Sequence, residues 1–381
     1  MKIDVMTKDK DIKTTVPTLR FREFQNDARW IPNKIDHVCK IGNGRDYKHL
    51  SAGNIPVYGS GGYMTSVDKF LYDGESVCIG RKGTIDKPIF LTGKFWTVDT
   101  LFYTYAFHKC LPKFLYLIFQ QINWYKYNEA GGVPSLLKTT IGNINIFIPN
   151  NENEQKKIVD CFSSLDDLIN AVADKIETLK EYKKGLMQQL FPAEGKTTPA
   201  FRFPEFQNKG EWEESTLGDI CDMQAGKFVS ASEICDVKKD TMYPCYGGNG
   251  LRGYTHSFTH FGIYPLIGRQ GAQCGNITYA EGKFHATEHA VVVTLKKDID
   301  IRWLYYQLIK LDLNQYATGQ AQPGLSVDVI KKVTIRIPKN KNEQQLIACG
   351  LFSVDELIST ETAKLDQLKA HKKGLMQQLF P

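Results

Sequence analysis

The sequence has no long apolar segment. Its most apolar runs, residues 114–119 and 290–295, are far shorter than the roughly 20 residues that a helix needs to cross a lipid bilayer. Residues 1–15 are polar and charged and show no apolar core of a secretory signal. We therefore expect a cytoplasmic protein that has no membrane partner.

Cysteine is present, but not in a metal-binding or disulfide pattern. The nine cysteines are an odd number, and no two of them have the C-x-x-C spacing of zinc and redox sites. Only Cys39 and Cys221 occupy matching positions of the internal repeat described below. This scatter argues against a metal cluster, so we expect reduced, partly buried thiols.

Charge of one sign is not in large excess. The 381 residues include 48 Lys and Arg and 42 Asp and Glu, which gives a formal net charge of +6. That balance permits an acidic partner such as DNA without requiring one. Hydrophobic residues make up 42% of the chain, so it can bury a sizeable core, and its length predicts two or three domains.

The sequence does contain an internal duplication. Residues 183–192 recur without change at 372–381, and residues 17–26 match residues 199–208 at seven of ten positions. Shorter echoes lie between them: Ile-Pro-Val-Tyr-Gly (55–59) and Tyr-Pro-Cys-Tyr-Gly (243–247), Ile-Gly-Arg-Lys-Gly (79–83) and Ile-Gly-Arg-Gln-Gly (267–271), and Ile-Phe-Ile-Pro (146–149) and Ile-Arg-Ile-Pro (335–338). An identical decapeptide does not recur by chance, so the chain is a tandem duplication.

Each repeat is predicted to be an α+β domain followed by a helix. Short β-branched and aromatic runs between Gly-rich turns indicate strands at residues 76–79, 88–91, 144–148, 276–279, 290–295 and 333–337. An amphipathic helix is expected near residues 112–125 and its counterpart near 301–313. The expected boundaries are 17–150 and 199–338 for the domains, and 151–192 and 339–381 for the helices.

The starts of the two long helices are marked by their spacing of polar residues. Asn151 with Glu154, and Asn340 with Glu343, have the spacing of a capping box just after a Pro that ends a strand. A helix of roughly 36 residues from there would be about 54 Å long, at a rise of about 1.5 Å per residue.

Both long helices carry the apolar seam of a coiled coil. The spacing alternates between four and three residues from 158 to 190, with a break at Lys183, and from 347 to 379, with breaks at Glu361 and Lys372. Packing of each helix on its own domain is the simpler alternative, but two matched seams are better satisfied by each other. Chain order then predicts two tandem α/β domains separated by a long antiparallel two-helix coiled coil, a dumbbell with a pseudo-twofold axis.

The order of these features resembles the specificity subunit of type I restriction-modification systems. Each repeat has a Tyr-Gly-Gly-rich turn, a Gly-Arg-x-Gly turn and an Ile-x-Ile-Pro-x4-Glu-Gln segment, with the Glu-Gln pairs at 154–155 and 343–344. The resemblance covers residues 17–381. It implies two target-recognition domains, each reading half of a split, asymmetric sequence in double-stranded DNA. It also implies helices that dock two modification (methyltransferase) subunits, with restriction (endonuclease/translocase) subunits completing the complex.

Catalytic motifs are absent from the sequence. There is no Asn/Asp-Pro-Pro-aromatic tetrapeptide of an adenine methyltransferase, and Gly195-Lys196-Thr197 lacks the first Gly of a Walker A motif. His285 and His289 have the spacing of a zinc-protease signature, but on the expected strand they would lie about 13 Å apart. We expect His285 to be a surface histidine or a polar group that faces a groove. The resemblance implies a non-catalytic subunit with no cofactor and no metal.

Exposed turns supply the candidate DNA contacts, because base readout needs polar side chains and phosphate contact needs Lys, Arg or free backbone N–H groups. The candidates are Arg45, Lys48, Ser60, Tyr63, Arg81 and Lys82 in the first repeat and Asn249, Arg252, His256, Arg269, Gln270 and Gln273 in the second. Arg81 and Arg269 recur at matched positions, which fits a shared structural salt bridge as well as a phosphate contact. Lys82 against Gln270, and Ser60 against Gly248, differ, as expected where different bases are read.

Three classes of function compete. The leading hypothesis is a non-catalytic DNA-recognition subunit, with the recognition subunit of a bifunctional restriction and methylation enzyme as a close relative. The second is a stand-alone DNA-binding regulator with the same fold. The third is a hydrolase built on the cluster around His285.

Overall fold

The computed structural model describes residues 15–271, 273–319 and 323–381. The chain divides into two compact units, one made of the residues up to Val172 together with Lys364–Pro381, the other of Ala173–Ala363. Each unit contains one globular head, which we define as the residues ahead of a long helix: 15–151 for the first head and 191–340 for the second. Each unit also contains parts of both long helices.

The first head consists of short strands and three short helices. Its strands are β1 (Ile31–Lys34), β2 (Lys40–Asn43), β3 (Ala52–Gly59), β4 (Gly62–Val67), β5 (Tyr72–Asp73), β6 (Ser76–Gly80), β7 (Ile89–Leu91), β8 (Lys94–Thr97), β9 (Leu101–Tyr105) and β10 (Asn145–Ile148). Its helices are α1 (Ile35–Val38), α2 (Pro112–Phe119) and α3 (Lys138–Gly142), and the long α4 (Glu152–Leu190) follows. The helix expected near 112–125 is shorter, since α2 ends at Phe119 and a 3₁₀ turn follows at Trp124–Tyr127.

The second head repeats this order, with two long strands in place of four short ones. Its strands are β11 (Glu213–Thr216), β12 (Cys221–Ala225), β13 (Tyr243–Gly247), β14 (Gly250–Thr255), β15 (His260–Gly268), β16 (Ile277–Ala286), β17 (Ala290–Leu295) and β18 (Thr334–Ile337). The helices are α5 (Leu217–Ile220), α6 (Ile301–Lys310) and α7 (Val327–Lys331), and the long α8 (Lys341–Leu379) follows. The strand expected at 276–279 continues to Ala286, because it stays paired with β15 as far as Phe284 and then pairs with β13.

The two heads share one strand order. The second head has a six-stranded sheet with the order β12-β17-β15-β16-β13-β14, and the first head divides the same order between β2-β9-β6-β7 and β5-β8-β3-β4. The division falls at Gly74, whose N–H donates to the carbonyl of Gly93 at 3.1 Å. Gly262 and Gly282 are partners at the same place in the second head. All four glycines have positive φ, so one irregularity is common to both heads and breaks strands only in the first.

The last Phe of each repeated decapeptide completes a hydrophobic core. In the first unit, Phe380 stacks on Phe114 with ring centroids 5.4 Å apart and lies 5.9 Å from Trp30. In the second unit, Phe191 lies 6.3 Å from Trp212. The end of α8 therefore closes the first core and the end of α4 closes the second, as the predicted antiparallel arrangement requires.

The two long helices pair with each other in both units. Each has 39 residues, slightly more than expected. The charged residues that interrupt the seams form ion pairs between the helices: Lys372 with Asp166 in the first unit, and Lys183 with Asp355 and Lys175 with Glu361 in the second. The antiparallel prediction is confirmed within each unit, and the alternative in which each helix packs only on its own domain is wrong. Among the described residues, no helix is long and apolar enough to cross a membrane.

Glu154 ties the start of α4 to the first head. Its carboxylate accepts hydrogen bonds from the guanidinium of Arg20 at 2.7 Å and from the indole N–H of Trp30 at 3.1 Å, and all three side chains are buried. Asn151 caps the helix by accepting from the backbone N–H of Asn153 at 3.0 Å. The cap by Asn151 is therefore confirmed, but the reciprocal bond of the expected capping box is wrong. The carboxylate of Glu154, which would have closed the box, instead forms a charge-assisted bond to Arg20.

The second head repeats this junction at the start of α8. Glu343 accepts hydrogen bonds from Arg202 at 2.7 Å and from Trp212 at 3.1 Å. The residue after each Glu, Gln155 or Gln344, is buried and accepts a hydrogen bond from the backbone just ahead of α2 or α6. The repeated Glu-Gln pair is thus a structural joint between head and helix.

Candidate nucleic-acid interface

A two-residue hairpin turn carries the Gly-rich motif in each head. Residues 60–61 join β3 to β4, and residues 248–249 join β13 to β14. The next residues, Gly62 and Gly250, have φ of +109° and +86°, a region that L side chains rarely adopt. Tyr63 then stands 63% exposed beside the first turn. The two turns therefore occupy matched places, and they present Ser60 and Tyr63 in the first head and Asn249 in the second.

The Gly-Arg-x-Gly turn is held by the same backbone bonds in both heads. The N–H of Arg81 donates to the carbonyl of Thr100 at 2.8 Å, and the carbonyl of Arg81 accepts from Leu136 at 2.9 Å. The equivalent bonds in the second head join Arg269 to His289 at 2.9 Å and Leu325 to Arg269 at 2.9 Å. The turn is fixed on both sides, and its side chains at positions 81, 82, 269 and 270 are exposed.

A third loop borders this turn, and the sequence reasoning did not single it out. Gly83 donates to the carbonyl of Pro134 at 2.9 Å, and Gly271 donates to that of Pro323 at 3.0 Å. Lys82 forms an isolated β-bridge with Ser135, as Gln270 does with Gly324. The signal was available in the sequence, since both prolines lie 189 positions apart and each is followed two residues later by Leu.

In the first head these turns line two neighbouring clefts. A cleft of about 750 Å³ is bordered by Lys48, Ser60 and Tyr63, and one of about 550 Å³ by Arg81 and Lys82. The two clefts share Asp99 and Thr100 as a common wall. Five of the six first-head candidates are therefore brought together.

Arg45, the sixth candidate, has an exposed side chain on a fixed backbone. Its N–H donates to the carbonyl of Thr97 at 2.8 Å, and the N–H of Lys227 donates to that of Ala286 at 2.8 Å in the same way. Lys227 is thus the second-head counterpart of Arg45. Lys227 was not among the candidates. The sequence did contain a signal for it, because the glycines that precede Arg45 and Lys227 lie 182 positions apart.

In the second head the hairpin turn also packs on the Gly-Arg-x-Gly turn. A Cβ atom on Gly248 would lie 3.3 Å from the carbonyl oxygens of both Gln270 and His289. Asn249 is exposed at this turn, and the side chain of Arg252 lies beside Gly247.

Two second-head candidates lie outside this group. Gln273 borders a separate cleft of about 520 Å³ together with Asn314. His256 follows the last residue of β14 and is therefore at the opposite end of that strand from the hairpin turn. The structure does not bring His256 to the Gly-Arg-x-Gly turn.

Arg81 and Arg269 have exposed guanidinium groups. Neither forms an ion pair within residues 15–271, 273–319 and 323–381, and Arg81 reaches only the carbonyl of Asp99, at 3.4 Å. The interpretation of these arginines as a shared structural salt bridge is therefore wrong. Both keep most of their donors available for an anion such as phosphate.

His285 is a buried structural residue, so both expectations for it were wrong. Its Nε2 lies 3.1 Å from the carbonyl oxygen of Lys227, and its Nδ1 lies 3.3 Å from Oγ of Ser257. In the first head the indole N–H of Trp96 donates to the carbonyl of Arg45 at 2.8 Å. Trp96 and His285 also share one register position, opposite β3 and β13. The zinc-protease spacing of His285 and His289 is therefore a coincidence, because His285 bonds to the protein backbone.

The thiols are not arranged as nucleophiles. Burial raises the pKa of Cys39, Cys78 and Cys221 to about 12, which keeps them protonated near neutral pH. All nine cysteines are free. In the part of the chain that the structure describes, no group of three or more His, Cys, Asp or Glu could hold a metal ion.

The sequence matches twice the family described as the Type I restriction modification DNA specificity domain, over residues 28–181 and 209–370. The type I restriction enzyme EcoprrI specificity subunit of Escherichia coli is 38% identical over 165 residues, 43% of this chain and 41% of that protein. The MjaVIII specificity subunit of Methanocaldococcus jannaschii is 27% identical over 346 residues, 81% of this chain and 77% of that protein. The match thus spans less than half of the E. coli relative.

A solved structure shares the fold. The type I restriction-modification S subunit from M. genitalium superposes with a TM-score of 0.72 and 19% identity, over 96% of this chain and 99% of that one. At this identity the likeness concerns the fold alone. Together with the duplicated family match, it confirms the predicted class of two tandem α+β domains with long helices.

Proposed function

The chain belongs to the type I restriction-modification DNA specificity family, and from this premise we propose that it is the non-catalytic, sequence-reading subunit of a type I restriction-modification complex in the cytoplasm. Its two recognition domains, residues 17–150 and 199–338, each read one half of a bipartite, asymmetric target in double-stranded DNA. The helices, residues 151–192 and 339–381, separate the readers and dock two methyltransferase subunits, and restriction subunits complete the complex.

One observation carries this proposal: the two heads build the same backbone frame and present different side chains on it. The Gly-Arg-x-Gly turn has matched bonds to two neighbouring segments in each head. A fixed frame with variable exposed side chains suits two readers of different half-sites, because base identity is read by side-chain donors and acceptors.

The side chains divide into two groups by this comparison. Those with a basic residue at the matched position, Arg81 with Arg269 and Arg45 with Lys227, are suited to the DNA backbone, which is the same at every sequence. The other candidates at the turns differ between heads and would read bases: Lys48, Ser60, Tyr63 and Lys82 in the first head and Asn249, Arg252 and Gln270 in the second. His256 and Gln273 lie outside this group.

Two exposed leucines support the proposal that the helices bind two copies of one protein partner. Leu168 of α4 is 44% exposed and Leu357 of α8 is 52% exposed. They lie 189 positions apart, the offset of the repeat, and an acidic residue precedes each. Because the same exposed residue recurs at the repeat offset, two copies of one protein partner would meet the same side chain on each helix.

The test is to express the chain with a methyltransferase subunit of its system and to map methylated sites in the cell's DNA. The expected result is one asymmetric motif of two half-sites around an unread spacer, with no methylation by the purified chain alone. Methyl transfer by the isolated chain would refute the non-catalytic assignment. DNA binding without capture of a methyltransferase would favour the stand-alone regulator.

A further inference from the structure

The x position of the Gly-Arg-x-Gly turn carries a different side chain, with a different charge, in each head. Lys82 and Gln270 occupy the same place, each in an isolated bridge to the loop that contains Pro134 or Pro323. The glycines that follow donate to the carbonyls of those prolines at 2.9 and 3.0 Å. Since the backbone on both sides is held alike, the two heads differ here in side chain only.

The two side chains have different hydrogen-bonding capacity. The ammonium of Lys82 has three donors and no acceptor, whereas the amide of Gln270 has donors and an acceptor on one planar group. In the major groove guanine shows two acceptors, O6 and N7, and adenine shows the N7 acceptor beside the N6 donor. Lysine therefore complements guanine, and glutamine complements adenine.

We propose that this single position determines one base in each half-site, so that Lys82 selects guanine and Gln270 selects adenine at the equivalent place. The inference rests on the proposed function, because it needs DNA at this surface. It goes further by naming the bases and the residues that choose them.

The neighbouring position argues against a simple phosphate contact for Lys82. Arg81 and Arg269 directly precede the two residues, are exposed, and remain basic in both heads. DNA backbone charge is the same at both half-sites, so a phosphate contact would be expected to stay basic, as the arginine position does. The loss of charge at Gln270 instead fits a position that follows base identity.

The experiment exchanges the two residues in the full chain assembled with its methyltransferase subunit. The complex selects duplexes from a pool of random sequence, and the selected duplexes are sequenced. Lys82→Gln should shift one base of the first half-site from guanine to adenine, and Gln270→Lys should shift one base of the second from adenine to guanine. Each preference should change by about tenfold or more, the range of one good base contact, while the other half-site stays unchanged.

Lys69→Gln is the matched control, because Lys69 is exposed just beyond β4, at the end away from the hairpin turn, and loses the same charge. It should leave both half-sites unchanged. If Lys82→Gln instead weakens binding to all sequences alike and lowers the salt slope by about one, Lys82 contacts phosphate and the inference is wrong. A wild-type complex that selects a bipartite motif, with exchanges that leave it unaltered, refutes the inference alone. A wild-type complex that selects no motif refutes the proposed function as well.

Discussion

In the first head an indole, Trp96, donates to the carbonyl of Arg45, and in the second head an imidazole, His285, bonds to the carbonyl of Lys227 from the same register position. The two side chains differ in size and chemistry, yet each bonds to the backbone carbonyl at the same place in its head. The comparison teaches that the duplication has kept the backbone contacts of each head while the side chains that make them have diverged. The same holds at the Gly-Arg-x-Gly turn, where the backbone bonds match, the exposed Arg recurs, and the exposed residue after it changes from Lys82 to Gln270.

The joints between heads and helices show the opposite case. The Arg, Trp and Glu of this joint are the same three residue types in both heads, with matched distances. A buried ion pair tolerates no single replacement, because each partner compensates the charge of the other. Residues at the joints are therefore constrained together, whereas at the turns Lys82 and Gln270 differ beside an unchanged Arg.

The largest effect should follow from breaking a joint. Glu154→Ala leaves the guanidinium of Arg20 buried without its partner, and Glu343→Ala does the same to Arg202. Each should lower the free energy of unfolding by about 3–5 kcal/mol. Urea unfolding measures the loss, and equal losses would confirm that the two joints are equivalent.

Glu177→Ala is the control for the joint variants, since Glu177 is exposed and pairs only with Lys180 on the same helix. It should change stability by less than about 0.5 kcal/mol. The double variant Arg20→Met/Glu154→Leu removes both charges and should cost much less than Glu154→Ala. A double variant as unstable as the single one would show that the unpaired charge of Arg20 does not govern the joint, and that packing and the lost Trp30 hydrogen bond do.

The next effect concerns the contacts of Trp96 and His285 with backbone carbonyls. Trp96→Phe and His285→Phe each remove the donor to a backbone carbonyl, so each should cost about 1–3 kcal/mol of unfolding free energy. His256→Phe, at an exposed position, should stay within about 0.5 kcal/mol. If zinc raised the melting temperature of the wild type but not that of His285→Phe, His285 would be a metal ligand after all.

The sequence predicted what depends on local spacing and missed what depends on partners. The strands near 76–79 and 290–295 are continuous, largely apolar runs, the two helical seams are periodic, and each lies where it was expected. Lys183 was predicted only as a break in a seam, because its partner Asp355 is distant in the chain. Glu154 and His285 were misassigned for the same reason. Glu154 was expected to close a capping box and His285 to lie at the surface or in a groove, and a distant Arg and a distant carbonyl decided the outcome. The candidate contacts and the exact domain boundaries stay predictions.

A smaller effect is expected from the shared arginines. Arg81→Gln and Arg269→Gln should each lower the slope of log affinity against log salt by about one and weaken binding to all sequences alike. The physical reason is that each guanidinium replaces counterions on one phosphate. Binding measured over a series of salt concentrations tests this, with Lys69→Gln as the control. A change of base preference in either variant would contradict the phosphate assignment.

The smallest effect separates the heads by pH. His260 in the second head stacks on Phe284 with ring centroids 5.4 Å apart, and burial, followed by the charges of His285 and Lys227, lowers its pKa. Tyr72 holds the equivalent place beside Phe95 in the first head, and burial raises the pKa of its phenol above the ordinary value. Only the second head therefore has a group here that can take up a proton as the pH falls below neutrality, and burial opposes that protonation.

The sign of the effect follows from the lowered pKa of His260. In the unfolded chain His260 binds a proton with the ordinary pKa of about 6.5, and in the folded chain its pKa is lower. This contribution to stability is therefore full above about pH 6.5, and it is lost as the pH falls towards the pKa of the folded chain. His260→Tyr copies the first head and should remove this part of the acid sensitivity. Melting temperatures of wild type and variant between about pH 7.5 and 5.5 should therefore converge or cross as the pH falls. Parallel curves for the two proteins would show that protonation of His260 does not oppose folding, and the two heads would then respond to acid alike.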